Sequence, residues 1–199
     1  MGARKPVFTL RKARKDDAAA LARLIDIAAE GMASYFWRLS APDADPLVTG
    51  AARAAREEGG FSYRNALVAE HDGAVVGLLV DYRLDDPYPE TDPADLPPVF
   101  RPLVALEAQA PGSWYVNVVA VDEGFRGQGL GARLLAEADR RAEEAGAAQA
   151  SIIVAAQNPA RRLYARCGYE EAAAAPITPY PGALHTGDWL LMVKPVGQD

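Results

Sequence analysis

A chain of 199 residues, 50% hydrophobic and 24% charged, is long enough to bury one substantial core and too short for two complete domains. Its 21 basic and 27 acidic residues leave a net charge of −6, a field that repels polyanions and argues against nucleic acid or an anionic membrane as partner. With Cys167 as the sole cysteine, neither an intramolecular disulfide framework nor a multi-cysteine zinc site can be built, which points to a reducing cytoplasm.

At the start of the chain, Met1 to Val7 carries positive charge with no apolar run behind it and does not read as a secretory signal. Pro6 stands where a myristoylation motif needs Ser or Thr. Val7, Thr9 and Leu10 then give a short strand signal. Lys15-Asp16-Asp17 places acids at the start of a helical run through Leu21, Leu24, Ile25 and Ala28, which Gly31 ends or bends. Met32, Tyr35, Phe36, Trp37 and Leu39 recur at near-helical spacing until Pro42, and a second short helix is expected from Pro46 to Glu58. Asp72-Gly73, between the apolar runs 66–69 and 74–80, predicts a hairpin, because both turn positions tolerate positive φ. The second of these runs is the most apolar in the chain and falls far below the roughly 20 residues that cross a bilayer, so a soluble cytoplasmic protein is expected.

Residues 84–103 combine prolines (Pro87, Pro89, Pro93, Pro97, Pro98, Pro102) with acids (Asp85, Asp86, Glu90, Asp92, Asp95), a composition that opposes helix and central strand alike and reads as an insertion loop. Trp114 to Val121 predicts a strand. Gly129 to Ala145 predicts a helix with Leu130, Leu134, Ala138 and Ala142 on one face, and Ala150 to Ala155 another strand. Asn158-Pro159 opens a further helix as cap and first helical residue, Gly168 stops it, and Tyr169 onward and 189–193 supply the last strands.

The chemistry gathers where the strand ending at Val121 turns into a helix whose first residues are mostly glycine. The amides at such a start lack helical partners, the helix dipole is positive there, and missing side chains let an anion approach. The same glycines also serve a tight strand-to-helix turn, and their spacing matches neither the P-loop nor the dinucleotide fingerprint. Arg126-Gly127-Gln128-Gly129-Leu130-Gly131 does fit the Arg/Gln-x-x-Gly-x-Gly/Ala signature of the Gcn5-related N-acetyltransferases, the GNAT family. Further on, Asn158 to Tyr169 is similar to that family's Asn-x-x-Ala-x-x-Leu-Tyr-x-x-x-Gly-Phe. The preceding order of strand, two helices, hairpin and strand also resembles the family, so the resemblance spans nearly the whole chain.

The resemblance implies an α/β (α+β) fold with a mixed, mostly antiparallel central sheet flanked by helices, a single domain over 1–199 interrupted by the insertion. It also implies acetyl-CoA as donor and a primary amine, of a small molecule or a protein, as acceptor. In that picture the backbone of Val119, Ala120 and Val121 pairs with the pantetheine arm, and amides of Gly127, Gln128, Gly129, Leu130, Gly131 and Ala132 hold the pyrophosphate. Arg126 either contacts a phosphate or closes an ion pair with Asp122 or Glu123. Tyr164 matches the tyrosine that protonates the leaving thiolate, although core packing would also account for it. The consensus asparagine falls in register on Gln157, with Asn158 one residue late, so either contacts the cofactor. The strand glutamate of some relatives is replaced by Ile152 or Ile153.

A neutral amine still needs a proton acceptor. Candidates are Glu107, which also suits a cap or ion pair on a short helix with Leu103, Leu106 and Ala110, and Asn117, which can orient a water or the amine. Tyr115 shares a strand face with Asn117 and Val119. Tyr35 and Trp37, with Phe36 expected to be buried, are candidates for an aromatic acceptor wall, and His185 for a contact from the C-terminal loop. His71 and His185 lack metal-ligand spacing, so no metal is expected. Exposed edge strands suggest a homodimer. An alternative from another class is a non-catalytic acyl-CoA-binding sensor or partner module, which the missing strand glutamate favours.

Overall fold

Residues 6–197 are described by the computed structural model; Met1–Lys5, on which part of the reading against a secretory signal rests, lie outside the described residues. In chain order they form β1 (Thr9–Lys12), α1 (Ala18–Ala28), α2 (Met32–Ser40), α3 (Pro46–Ala54), β2 (Ala66–His71), β3 (Ala74–Arg83) and α4 (Arg101–Glu107). There follow β4 (Trp114–Val121), α5 (Leu130–Glu144), β5 (Gln149–Ala155), α6 (Arg161–Arg166), β6 (Glu170–Pro176) and β7 (Asp188–Pro195). The strands make one seven-stranded sheet, ordered β1-β2-β3-β4-β5-β7-β6. β4 and β5 run parallel, whereas β1/β2, β2/β3, β5/β7 and β6/β7 are antiparallel, so the sheet is mixed and mostly antiparallel. The β4/β5 register runs from Trp114↔Ala150 to Val116↔Ile152. Among the described residues no helix is long and apolar enough to cross a membrane.

Where the length suggests one core, contacts divide the chain into two compact units, each discontinuous in sequence. The first comprises residues up to Asp81 and Val118–Leu135. Its core forms because α1 repeats apolar side chains at helical spacing: Ala18, Leu21, Ala22, Leu24 and Ile25 pack with Trp37, Ala54, Val68, Leu78, Val80, Val118 and Ala120. The β2/β3 turn has Asp72 at φ 49° and Gly73 at φ 79°, the positive pair that the hairpin requires. Asp45 caps α3 by accepting from the Leu47 amide at 2.8 Å, with Pro46 as its first residue. α3 stops at Ala54, short of the expected Glu58, because the following loop closes on itself: the Ser62 hydroxyl donates to the Arg56 carbonyl at 2.6 Å.

The second unit comprises Tyr82–Asn117 and the described residues from Ala136 onward. The proline-rich segment is not a loop throughout. It contains 3-10 turns at Pro93–Asp95 and Pro98–Phe100, and its last residues begin α4, whose first turn accepts Pro102 because that amide would have no helical partner anyway. α4 anchors itself by Leu106, which with Ala110 packs on Leu191, Ile153, Ala173, Ala175, Trp189 and Val193. α6 begins at Arg161 rather than Pro159, since the Asn158 side chain accepts from the Ala160 amide at 2.8 Å and forms a turn before the helix.

Candidate functional site

In the first unit the end of β4 is pinned before the glycine turn starts. The Asp122 amide donates to the Val76 carbonyl at 2.9 Å, and its carboxylate receives both terminal nitrogens of Arg23, one at 3.0 Å. Beneath the turn, the Phe125 ring meets Phe8 and His71 with centroids 5.9 and 5.2 Å away. Arg126 turns its Nε to the Val121 carbonyl at 3.1 Å, and Gln128 donates to the Gly124 carbonyl at 3.1 Å. Of the two readings of Arg126, the ion pair with Asp122 is therefore not formed, because Arg23 holds that carboxylate.

Gly127 and Gly129 adopt φ 72° and 84°, and a Cβ built on either would meet nothing within 4 Å. The backbone thus needs glycine here, and the space a side chain would fill is open. Leu130 turns the other way and is 2% exposed. It seats α5 against β3, where a Cβ on Gly77 would lie 3.1 Å from Leu130 Cδ2. The helical ladder opens with the Arg133 amide bonded to the Gly129 carbonyl at 3.1 Å, so the amides of Leu130, Gly131 and Ala132 precede it at the positive end of the helix. Along β4, Val119 and Val121 are half-buried while Val118 and Ala120 face the core, so Ala120 offers a ligand only its backbone.

In the second unit Tyr164 is 6% exposed, its ring edge-on to Tyr169 at 6.4 Å. Burial pushes the nearby Cys167 thiol above its ordinary value, which makes it a poor nucleophile. The Asn158 oxygen is committed to the start of α6, whereas Gln157 is exposed, with its oxygen 3.5 Å from the Thr186 amide at the outer limit of a hydrogen bond. The half-buried His185 precedes Thr186 in that same loop.

Glu107 ends α4 inside a group of phenols. Tyr88, from the proline-rich segment, donates to its Oε2 at 2.6 Å, and Tyr115 also hydrogen-bonds to it. The Tyr82 ring stands edge-on to Tyr115 at 5.8 Å, and its hydroxyl accepts from Asn117 Nδ2 at 3.2 Å. Burial raises the Glu107 carboxyl above its usual range, partly offset by the bonds from Tyr88 and Tyr115. The phenols of Tyr82, Tyr88 and Tyr115 are pushed up by burial first and by the Glu107 charge as well, so they remain protonated donors. Glu107, Tyr115 and Asn117 are thus brought together as a hydrogen-bonded set. Tyr82 and Tyr88 were missed by sequence reasoning; the signal for Tyr88 was an aromatic residue enclosed by Pro87 and Pro89 in an acidic stretch.

The aromatic segment of α2 is ordered differently from expectation. Trp37, read as an acceptor wall, is 5% exposed in the core, and a Cβ on Gly50 would come within 2.5 Å of its ring. Ser34 and Trp37, one helical turn apart, face inward, and Asp26 accepts the Ser34 amide at 2.7 Å. That rotation leaves Phe36, expected to be buried, half-exposed with its ring 5.4 Å from Tyr35.

The Acetyltransferase (GNAT) family matches residues 30–169. No curated relative matches the chain. Among solved structures, an acetyltransferase is 26% identical, with a TM-score of 0.67 over 94% of this chain and 99% of that one. The ribosomal-protein-S18-alanine N-acetyltransferase of Escherichia coli is 18% identical, with a TM-score of 0.61 over 97% and 96%. The yncA protein of Salmonella typhimurium, solved with its cofactor acetyl-CoA, is 20% identical, with a TM-score of 0.60 over 96% and 95%. At their identities the last two show a common fold.

Proposed function

From the premise that this chain belongs to the GNAT acetyltransferase family, we propose that it moves the acetyl group of acetyl-CoA onto a primary amine by direct attack in a ternary complex. The observation that carries this reading is the open glycine turn before α5: Gly127 and Gly129 at positive φ, with nothing within 4 Å of where a side chain would stand. An anion approaching there meets amides that precede the helical ladder, and the fit to a pyrophosphate is one of charge and of room.

Glu107 takes a proton from the acceptor ammonium, and Asn117 orients the amine or an intervening water. The neutral nitrogen attacks the thioester carbonyl. The carbon–sulfur bond breaks, Tyr164 gives its proton to the departing thiolate, the nitrogen releases its second proton to solvent as the amide forms, and solvent restores Glu107 and Tyr164. The products are the amide and free coenzyme A. No covalent enzyme intermediate is required.

The test is acetyl-CoA consumption against polyamines, amino acids, aminoglycosides and peptide N-termini, alongside calorimetric binding of acetyl-CoA. Turnover with one acceptor class identifies the substrate. Tight binding without turnover on every acceptor favours the non-catalytic module instead.

A further inference from the structure

We infer that Tyr88, carried by the proline-rich segment, is a positioning residue that fixes Glu107 Oε2 for proton transfer, so that the insertion belongs to the acceptor half of the reaction. The inference rests on the reading of Glu107 as proton acceptor. Its geometric basis is the 2.6 Å bond from the Tyr88 hydroxyl to Glu107 Oε2.

A carboxylate at the end of a short helix has free rotamers unless something holds it, and α4 has only seven residues. The two phenols hold it from different segments: Tyr115 from β4 and Tyr88 from the insertion. The segment is itself tied down on either side of Tyr88. The Leu84 amide donates to the Ser113 carbonyl at 2.9 Å, and the Gly112 amide donates to the Asp85 carbonyl at 3.2 Å. Val99 is buried just before α4. An acidic prolyl stretch that only solvated a surface would not need its half-buried aromatic residue hydrogen-bonded to a half-buried carboxylate.

Beside burial, the Tyr88 contact is the larger of the two hydrogen bonds that act on Glu107. The groups facing its carboxylate are the phenols of Tyr88, Tyr115 and Tyr82. On the other side of α4, β5, β6 and β7 present Ile153, Ala173, Ala175, Trp189, Leu191 and Val193, all apolar. Asp85 acts on Tyr88 rather than on Glu107 directly. A donor on Oε2 stabilises the ionised carboxylate, which burial disfavours. It keeps Glu107 able to accept a proton at a pH where an equally buried carboxyl without it would be protonated.

Tyr88→Phe keeps the ring and removes the hydroxyl. The experiment measures the pH profile of kcat and the KM for acetyl-CoA in the wild type and in Tyr88→Phe, together with the carbon-13 titration of the Glu107 carboxyl by NMR, assigned with Glu107→Gln. The expected result is an acidic limb moved to higher pH, with kcat at the wild-type midpoint roughly fivefold lower, recovery in more alkaline buffer and an unchanged KM for acetyl-CoA. The Glu107 signal should move upward in parallel. A Glu107 titration that stays in place in folded Tyr88→Phe overturns the role of Tyr88 even if the protein is active. An active enzyme whose turnover survives Glu107→Gln overturns it through Glu107. Absence of turnover by the wild type on every acceptor sinks the transferase reading itself, and the catalytic role with it.

Discussion

Arg23 on α1 and Asp122 at the end of β4 form a two-pronged ion pair that ties the first helix to the entrance of the glycine turn, and Arg23 Nη2 also reaches the Val75 carbonyl at 3.3 Å. The guanidinium side chain is 42% exposed, so the pair contributes modestly, about 0.5–1 kcal/mol, and less at high salt. Its larger effect is on the turn. Arg23→Gln should lower the melting temperature by a few degrees and weaken acetyl-CoA binding severalfold, because the turn loses its tether. Calorimetry at low and high salt checks this; an affinity that ignores the substitution would show that the strand anchors the turn unaided.

Gly129 separates folding from binding. Its φ of 84° costs an alanine roughly 1 kcal/mol, but a methyl group there touches no other part of the protein. Gly129→Ala should therefore fold with a small loss of stability and bind acetyl-CoA at least tenfold more weakly, since the methyl occupies the space offered to the phosphates. Gly129→Glu should abolish binding by bulk and like charge. Normal calorimetric affinity in either variant would contradict the cradle.

The elements that decide the fold were legible where one local rule governs them. Asp72-Gly73 announces its turn because so few residues accept positive φ, and the stripe Leu130, Leu134, Ala138 and Ala142 is buried as its spacing requires. The glycine turn was legible for the same reason. What escaped depends on partners distant in sequence. Tyr88 and Glu107 lie 19 residues apart across a run of prolines, and nothing in either neighbourhood announces the contact. Trp37 and Phe36 are both apolar neighbours on α2; only the space left by Gly50 on α3 decides which enters the core. Pro102 looked like a helix breaker, yet at the first turn of α4 it breaks nothing.

Tyr164→Phe asks whether the hydroxyl or the ring matters. The ring packs on Tyr169 and is 6% exposed, so phenylalanine preserves the packing and stability should change by less than about 1.5 kcal/mol. If the phenol protonates the thiolate, kcat falls by roughly 10²- to 10⁴-fold while acetyl-CoA affinity stays near the wild-type value. Steady-state kinetics with calorimetry separates the two. Unchanged turnover would leave Tyr164 as a packing residue only.

Glu107 makes stability and activity depend on pH in opposite senses. Its native carboxyl is raised above the ordinary value, with burial as the main cause, so the folded protein holds that proton more tightly than the unfolded chain does. The stabilisation from this group is complete below the ordinary glutamate range, about 4.3, and is lost as pH rises through the raised native value. Proton acceptance needs the ionised form, so activity grows over the same interval. Glu107→Gln should remove both dependences. Above that interval the variant should be more stable than the wild type, and its residual turnover should no longer rise with pH there. Denaturant unfolding at a series of pH values, beside a pH profile of kcat, reads both. Parallel stability curves for the two proteins would mean that Glu107 ionises normally, and a preserved acidic limb would assign the proton acceptor to another group.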